Sequence, residues 1–594
     1  MDSSLLQSEL VFTREAHCRD CYRCLKSCPV KAIKIENGQA YILEERCIDC
    51  NICIQNCAQG AISFKSDKNK VYELLASGKK VVLSVAASYS SICADWERNR
   101  FPSALRRLGF SFVSETSVAA NIVALKTLEY VAEHQDRSHI SSVCPTVVNY
   151  VEKYRPDLIK NLIPIASPYI VHARWLRKKL GEDIAVVYVG ACVAKKMEIK
   201  RECYRGLIDV AISFAELREM FDERNILLKM CAESEFDETP VGKSRLLPLV
   251  GSLSEIAGKD ISFTELNTVA VTGFQDIKNS LDMVATSKGF LAELLFCYKG
   301  CINGPGIHMK NNIFERRNEL IEYVNSKSTL PAEKDPLLSA NIDITRDFYL
   351  DKAIPKPEYS ESKIREVLRK TGEPDSKRRP NCYSCGYPTC RDKAIAVLEG
   401  MAETEMCIPY MRRLAENKAS LLIETTPNGF VVLSEKFEIL TMNVAFKKMF
   451  LASNSLLKKP ISTLFDPEGF HILASGEEEI YEETVKHEKY DIVCHQIYYK
   501  LKEEKQYVGV FVNVTKNVTT ESKLDDIRNT TMIQAKELLQ HQMKMSQELA
   551  KLLGENAAQS EVMINNIIKY TEARYSQNVE PTNTNLLWDT NTSK

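Results

Sequence analysis

Cysteine is the residue type whose number and spacing in this sequence point most directly to chemistry. The 594-residue chain has 20 cysteines, and 16 of them form three groups: eight at 18–57, four at Cys144, Cys192, Cys297 and Cys301, and four at 382–407. Repeated Cys-x2-Cys spacing in a long chain favours metal binding over a disulfide framework, which belongs to short secreted domains. The sequence therefore predicts iron–sulfur chemistry in a reducing compartment. The cysteines outside these groups are expected to be small buried hydrophobic residues: Cys93, Cys203, Cys231 and Cys494.

Two cysteine runs near the N-terminus share the spacing Cys-x2-Cys-x2-Cys-x3-Cys, one beginning at Cys18 and the other at Cys47. This doubled pattern resembles the bacterial two-cluster ferredoxins, in which the fourth cysteine of each run ligates the other cluster. Zinc would need separate tetrahedral sets of ligands, which the doubled order disfavours. The resemblance implies two [4Fe–4S] clusters, one held by Cys18, Cys21, Cys24 and Cys57 and the other by Cys47, Cys50, Cys53 and Cys28.

Three separated motifs supply the middle group of cysteines: Ser142–Pro145, Gly190–Glu198 and Glu293–Gly306. Together they resemble the three signature loops of the iron-only [FeFe] hydrogenases. The resemblance implies an H-cluster, which is a [4Fe–4S] cubane joined to a two-iron subcluster with cyanide and carbonyl ligands. The implied cubane ligands are Cys144, Cys192, Cys297 and Cys301, with Cys301 bridging to the two irons. Lys195 would donate to a cyanide, and the remaining cofactor contacts would come from Pro145, Gly304 and Pro305. A plain cubane without the two irons is the alternative.

Several positions depart from the catalytic members of that family. Val143 stands where they have a proton-relaying cysteine, and the stretch Ala119–Thr127 lacks their acidic residues. Gly190 and Leu295 stand where methionines usually pack on the two irons. Loss of a general acid typically costs ~10²- to 10⁴-fold in rate. The departures therefore predict weak turnover, which suits a sensor better than a metabolic enzyme.

The third cysteine group has the spacing Cys382-x2-Cys385-x4-Cys390-x16-Cys407. It resembles a small helical [4Fe–4S]-binding domain of redox proteins. Four thiolates also suit zinc, and the spacing alone does not choose between the two metals.

Hydrophobic patterns indicate the elements that must position these residues. Short β-branched runs at Val81–Val85, Ile184–Val189 and Thr268–Thr272 alternate with helix-like segments, which predicts an α/β domain with buried strands. The Pro-rich stretch 330–380 reads as an irregular connector with one short helix. After Cys407, alternating segments such as Asn428–Leu433 and Met442–Phe446 resemble a PAS domain. An amphipathic helix follows, which is expected to pack on a partner helix through Leu538, Met545, Leu549 and Leu552.

The predicted fold class is a multidomain combination of α/β and α+β parts. A ferredoxin-like module at 1–70 and an α/β hydrogenase-like domain at 75–360 come first. They are followed by a small helical Fe–S domain at 361–412, a PAS-like domain at 413–520, a signalling helix at 521–575 and a disordered tail at 576–594.

Composition excludes several classes of function. The net charge is −1, with 44% hydrophobic and 26% charged residues, so no charge excess points to nucleic acid or a membrane surface. No apolar run approaches the ~20 residues that span a bilayer, and the N-terminus does not resemble a signal peptide. A cytoplasmic location is expected.

The sequence thus favours a hydrogen- or redox-sensing member of the [FeFe] hydrogenase family, expected to act as a homodimer. Hydrogen or protons would be its small ligands, ferredoxin its redox partner and, from the resemblance, a serine/threonine phosphatase its signalling partner. The PAS ligand is left open. The alternatives are a slow ferredoxin-coupled hydrogenase and an electron-transfer protein without the two-iron subcluster.

Overall fold

The computed structural model describes residues 10–257, 267–307, 312–327, 329–355, 357–371, 379–476, 479–501 and 505–515. The chain divides into two compact units, with the boundary between Thr404 and Glu405. This boundary lies inside the small domain predicted at 361–412, before Cys407. The helix predicted at 521–575 and the tail at 576–594 lie outside the described residues.

The N-terminal module consists of two antiparallel strand pairs and two short helices. Strand β1 (Val11–Thr13) pairs with β4 (Ile62–Phe64), and β2 (Ile33–Glu36) pairs with β3 (Gln39–Ile42). The helices Arg23–Ser27 and Ile52–Gln55 each follow a residue in the left-handed region, Tyr22 and Asn51 respectively. The two halves thus repeat one local fold, each half carrying one cysteine run.

The central domain is built on two parallel sheets. One has the order β6-β5-β8-β9 and the other β10-β11-β7. Parallel strands covered by helices on both faces are continuously apolar, and every residue of β8 is buried. The strands are β5 (Lys80–Val85), β6 (Phe112–Glu115), β7 (His139–Ile140), β8 (Ile184–Gly190), β9 (Val210–Ser213), β10 (Thr268–Thr272) and β11 (Leu291–Leu295).

The three strands predicted in this domain are confirmed, but the predicted burial of the third is wrong. Strand β10 lies at the edge of its sheet and all five of its residues are half-buried. The helices that cover the sheets are Lys68–Ala76, Asp95–Arg98, Phe101–Leu108, Ala120–Glu133, Pro145–Tyr154, Pro168–Leu180, Lys195–Glu198, Phe214–Glu223, Leu253–Ile256, Phe274–Thr286 and Ile313–Ser326.

The stretch predicted as a connector contains a four-residue helix, Pro336–Ser339, and a longer one, Glu361–Lys370. The helix Cys390–Leu398 packs on Glu361–Lys370 through a small apolar cluster that includes Ile364 and Ala394. Within the described residues, no helix is long and apolar enough to cross a membrane.

The second unit is a small α+β domain. Its antiparallel sheet has the order β13-β12-β16-β15-β14, and aromatic side chains including Phe446, Phe450, Phe470 and Phe511 fill one side of it. The strands are β12 (Gly429–Leu433), β13 (Ile439–Met442), β14 (Ile480–His487), β15 (Ile492–Leu501) and β16 (Gln506–Asn513), and the helices are Ile408–Thr425, Val444–Met449 and Glu468–Ser475.

The cysteines outside the three groups mostly match their prediction. Cys93, Cys231 and Cys494 are buried. Cys203 is half-buried and packs against the core of the central domain.

Candidate iron–sulfur centres

The four thiols predicted to hold the first ferredoxin-type cluster surround one cavity, which is lined by Cys18, Cys21, Cys24 and Cys57 together with Tyr22, Ile35 and Ile62. Burial, followed by the charges of Cys21, Cys18 and Cys57, raises the pKa of Cys24 to about 12. A thiol with so high a pKa stays protonated until a metal displaces the proton. The cysteines that influence Cys24 are those predicted to share a cluster with it.

The second set of thiols, Cys47, Cys50, Cys53 and Cys28, also lies together. Burial and then the charges of Cys50 and Cys28 raise the pKa of Cys53 well above its usual value. Burial and then the charge of Cys28 likewise raise the pKa of Cys50 above its usual value. The fold therefore brings Cys28 from the first run to the second run, as the ferredoxin resemblance predicted.

The second set also contacts the central domain. Cys50 and Cys144 both pack on one apolar cluster. From the helix Pro145–Tyr154, Asn149 Nδ2 donates to Asp49 Oδ2 at 3.0 Å and Lys153 Nζ donates to the Cys47 carbonyl at 2.7 Å. These contacts hold the second cysteine run beside the first central motif.

Three of the four central cysteines follow the carboxyl ends of parallel strands, and Cys301 lies further along the loop of Cys297. Cys144 comes after β7 and begins a helix, Cys192 comes after β8, and Cys297 comes after β11. Burial and then the charges of Cys192, Cys301 and Cys144 hold the pKa of Cys297 well above its usual value. Ligand sites in α/β folds form at this edge of a sheet. The three motifs thus meet in one place, although 157 residues of sequence separate Cys144 from Cys301.

The ammonium of Lys195 lies over two neighbouring aromatic rings at this place. Its Nζ is 4.0 Å from the ring centroid of Tyr169 and 4.9 Å from that of Tyr188. Within the described part of the chain its ammonium makes no hydrogen bond or ion pair. The charge of Lys195 lowers the pKa of Cys301, although burial dominates and raises that pKa to about 11. An ammonium ion without an anionic partner is therefore available beside two of the thiols.

The glycines of the third motif permit close contact between backbone segments. A Cβ on Gly304 would lie 2.4 Å from the Ala191 carbonyl oxygen, and one on Gly300 would lie 2.5 Å from the Pro248 carbonyl oxygen. Neither position accommodates a side chain. Gly304 therefore brings the loop of Cys301 onto the loop of Cys192. Pro305 follows Gly304 in the same loop.

The positions that depart from the catalytic family are all in or near this region. Val143 is half-buried against the main core, and Leu295 is buried at the end of β11. Asn121 is fully buried and donates to Asp335 Oδ2 at 2.8 Å. Asp335 therefore places one buried carboxyl beside the helix that lacks the family's acidic residues, and burial raises its pKa.

Sequence reasoning missed Arg346, which lies in the stretch interpreted as a connector. Its Nη1 donates to Glu198 Oε1 at 2.8 Å and to the Ser142 carbonyl at 2.9 Å. Both side chains of this ion pair are essentially inaccessible to solvent. Arg346 therefore ties the first motif to the second. Its Nε and Nη2 are enclosed and have no hydrogen-bond partner among the described residues. The same holds for the hydroxyl of Tyr204.

The described part of the small Fe–S domain packs on the ferredoxin-like module. The Tyr383 hydroxyl donates to the Lys26 carbonyl at 2.7 Å, and Arg46 pairs with Glu399 at 2.8 Å. A Cβ on Gly386 would lie 3.1 Å from Leu25 Cγ. The segment of Cys382, Cys385 and Cys390 is therefore adjacent to the first cysteine run, and Cys407 belongs to the second unit.

Among the described residues, no three Cys, His, Asp or Glu side chains are grouped as ligands for a single metal ion. A cubane distributes its four thiolates over four separate irons, so this finding concerns single-ion sites.

Comparisons with known families agree with the cysteine groups. Residues 79–305 match the model of the iron only hydrogenase large subunit, C-terminal domain. Residues 17–62 match a 4Fe-4S dicluster domain and residues 380–409 a putative Fe-S cluster. The chain therefore has a hydrogenase large-subunit-like domain flanked by Fe–S domains.

Individual relatives are distant. A probable cytosolic Fe-S cluster assembly factor, oxy-4 of Caenorhabditis elegans, is 24% identical over 327 residues, which cover 45% of this chain and 71% of that protein. The NADP-reducing hydrogenase subunit HndD of Solidesulfovibrio fructosivorans is 29% identical over 169 residues, covering 24% of this chain and 28% of HndD. Among solved structures, a variant of the [FeFe]-hydrogenase HydA1 from Chlamydomonas reinhardtii matches 49% of this chain and 100% of its own, with 17% identity and a TM-score of 0.39.

Proposed function

We propose that this chain is a hydrogen- or redox-sensing iron–sulfur protein whose central domain holds an H-cluster, with weak or no hydrogen turnover. The observation that carries the proposal concerns the ammonium of Lys195. No described residue accepts a hydrogen bond from it. Among the described residues the ammonium contacts the faces of Tyr169 and Tyr188, and this cation–π contact leaves its N–H groups without a hydrogen-bond acceptor. A cyanide ligand would supply that acceptor.

The remaining residues fit the same group. In the proposed site, Cys144, Cys192, Cys297 and Cys301 would hold the cubane and Cys301 would also hold the two-iron group, which would supply the hydrogen-binding chemistry. Lys195 orients the two-iron subcluster, and Pro145, Gly304 and Pro305 shape the loops around it. The chain offers no thiol at Val143 to move protons.

We further propose that the centres form one electron relay. The segment of Cys382, Cys385 and Cys390, which we propose contributes to the further [4Fe–4S] cluster, contacts the first ferredoxin run. The second run contacts the central motifs through Cys50 and Cys47. Electrons would therefore pass through the two ferredoxin-type [4Fe–4S] clusters to the central site, with an external ferredoxin as donor or acceptor.

Infrared spectroscopy tests the central assignment directly. Protein matured anaerobically with a two-iron precursor is expected to show cyanide and carbonyl stretching bands and to contain about 18 irons per chain, against about 16 for four cubanes alone. The matched control is the Cys301→Ser variant, which should lose the bands. Iron near 16 without bands in the unaltered protein would instead support the electron-transfer alternative. Bands accompanied by sustained hydrogen evolution would support the slow hydrogenase.

For the output we propose that the second unit is a PAS-like domain. Its strand order, 2-1-5-4-3 within the sheet, supports the resemblance noted in the sequence.

The helix predicted at 521–575 would form the contact in a homodimer or with a signalling partner such as a serine/threonine phosphatase. We expect the full chain, but not a chain ending at Thr520, to bind a candidate phosphatase about tenfold differently under hydrogen and under oxidant, a coupling of ~1.4 kcal/mol. Anaerobic calorimetry measures both affinities, and equal binding by the two chains would contradict the proposal.

A further inference from the structure

The side chain of Tyr188 occupies the space above the end of β8. This strand ends at Gly190, two residues before Cys192. A Cβ on Gly190 would lie 2.1 Å from Tyr188 Oη and 2.6 Å from its Cζ. The tyrosine therefore fills the volume that any side chain at position 190 would need, including the methionine found there in catalytic members of the resembling family.

The Tyr188 hydroxyl lacks a partner in the interior. The residue is only 2% exposed, and no residue in the described ranges hydrogen-bonds to its Oη. Its Oη is not fully enclosed, unlike those of Tyr169 and Tyr204, so it can donate to a group bound beside it. Burial and then the charges of Cys192 and Cys301 raise its pKa well above the usual value. The hydroxyl thus lies near the thiols of two different motifs.

The surroundings of Tyr188 fix its ring and add a second donor. Its ring centroid is 4.7 Å from that of Tyr169, and Lys195 Nζ lies 4.9 Å from the Tyr188 ring. An ammonium and a phenol, both hydrogen-bond donors without acceptors, therefore lie side by side. A bound group that matches them must present several acceptor atoms at its surface.

We propose that Tyr188 donates a hydrogen bond to a cyanide or carbonyl ligand of the two-iron subcluster held at Cys301. This inference rests on the proposed function. The chain thereby replaces a methionine contact with an O–H donor. Such a donor withdraws electron density from the iron through the ligand, and so it tunes the subcluster without moving protons to it.

Infrared spectra of the matured protein in H2O and D2O test the hydrogen bond. In the unaltered protein, at least one stretching band should shift on transfer to D2O. In Tyr188→Phe that band should move and lose most of its isotope sensitivity. Tyr204→Phe removes another buried hydroxyl of the same domain and should leave the bands in place. Unchanged bands in Tyr188→Phe overturn the inference alone, whereas absence of bands in the unaltered protein overturns the proposed function and this inference with it.

The steric part of the inference has its own measurement. Gly190→Ala should lower the thermal unfolding temperature because its Cβ collides with the Tyr188 ring. The same change in a Tyr188→Ala background should cost much less, since the collision is gone. Residues in contact give such non-additive effects. Additive losses in this double-mutant cycle would show that Tyr188 does not occupy the space at position 190.

Discussion

Replacing Arg346 with alanine is expected to lower the free energy of unfolding of the central domain by about 3–5 kcal/mol. The change leaves Glu198 as a buried carboxylate without its cation, since Arg346 Nη1 lies 2.8 Å from Glu198 Oε1 and both side chains are enclosed. It also removes the hydrogen bond to the Ser142 carbonyl. Anaerobic urea denaturation followed by tryptophan fluorescence measures the loss, because Trp96 and Trp175 both belong to this domain.

Two further variants separate this explanation from a general loss of charge. Lys243→Ala breaks an ion pair with Glu255 in which both side chains are more than half exposed, and should cost about 1 kcal/mol or less. Glu198→Gln in the Arg346→Ala background should recover part of the stability, because the unpaired charge is then removed. Equal losses for Lys243→Ala and Arg346→Ala would show that the buried pair contributes no more than a surface pair.

The strands, and the grouping of cysteines into cluster-binding runs, were predictable from the sequence because neighbouring residues encode both. The strand predicted at Thr268–Thr272 has these same bounds in the structure, since a β-branched run between turn residues is read from neighbouring positions. Its edge location was not predictable, because sheet order depends on contacts between distant segments. The spacing of the N-terminal cysteines likewise encodes a known cluster geometry.

Arg346 and Tyr188 could not be predicted, for two different physical reasons. Arg346 lies in a Pro-rich polar stretch without periodicity, and its partner Glu198 is 148 residues away. Tyr188 lies in a strand that is buried on both faces, so alternation of polar and apolar residues gives no indication of where its hydroxyl points. In both cases the tertiary fold, rather than local propensity, determines the role of the side chain.

Introducing a thiol at position 143 is expected to increase hydrogen turnover by about tenfold to a hundredfold. Val143 directly precedes Cys144 and stands where catalytic members of the resembling family have their proton-relaying cysteine. A general acid typically contributes ~10²- to 10⁴-fold. We expect a gain at or below the lower end of this range, because the helix Ala120–Glu133 still lacks the matching carboxylates. A buried carboxyl beside this helix is that of Asp335, which accepts a hydrogen bond from Asn121.

The measurement is hydrogen evolution from reduced methyl viologen by matured Val143→Cys, normalised to the infrared bands of the H-cluster. Val143→Ala is the matched control, because it opens similar space beside the half-buried position without adding a titratable group. The gain should fall as the pH rises through the pKa of the new thiol, since only the protonated form can donate. If Val143→Cys and Val143→Ala turn over equally, proton supply at this position does not limit the reaction. The proposed weak turnover would then have its cause at the two-iron group, where we propose that Tyr188, beside Gly190, replaces the methionine contact.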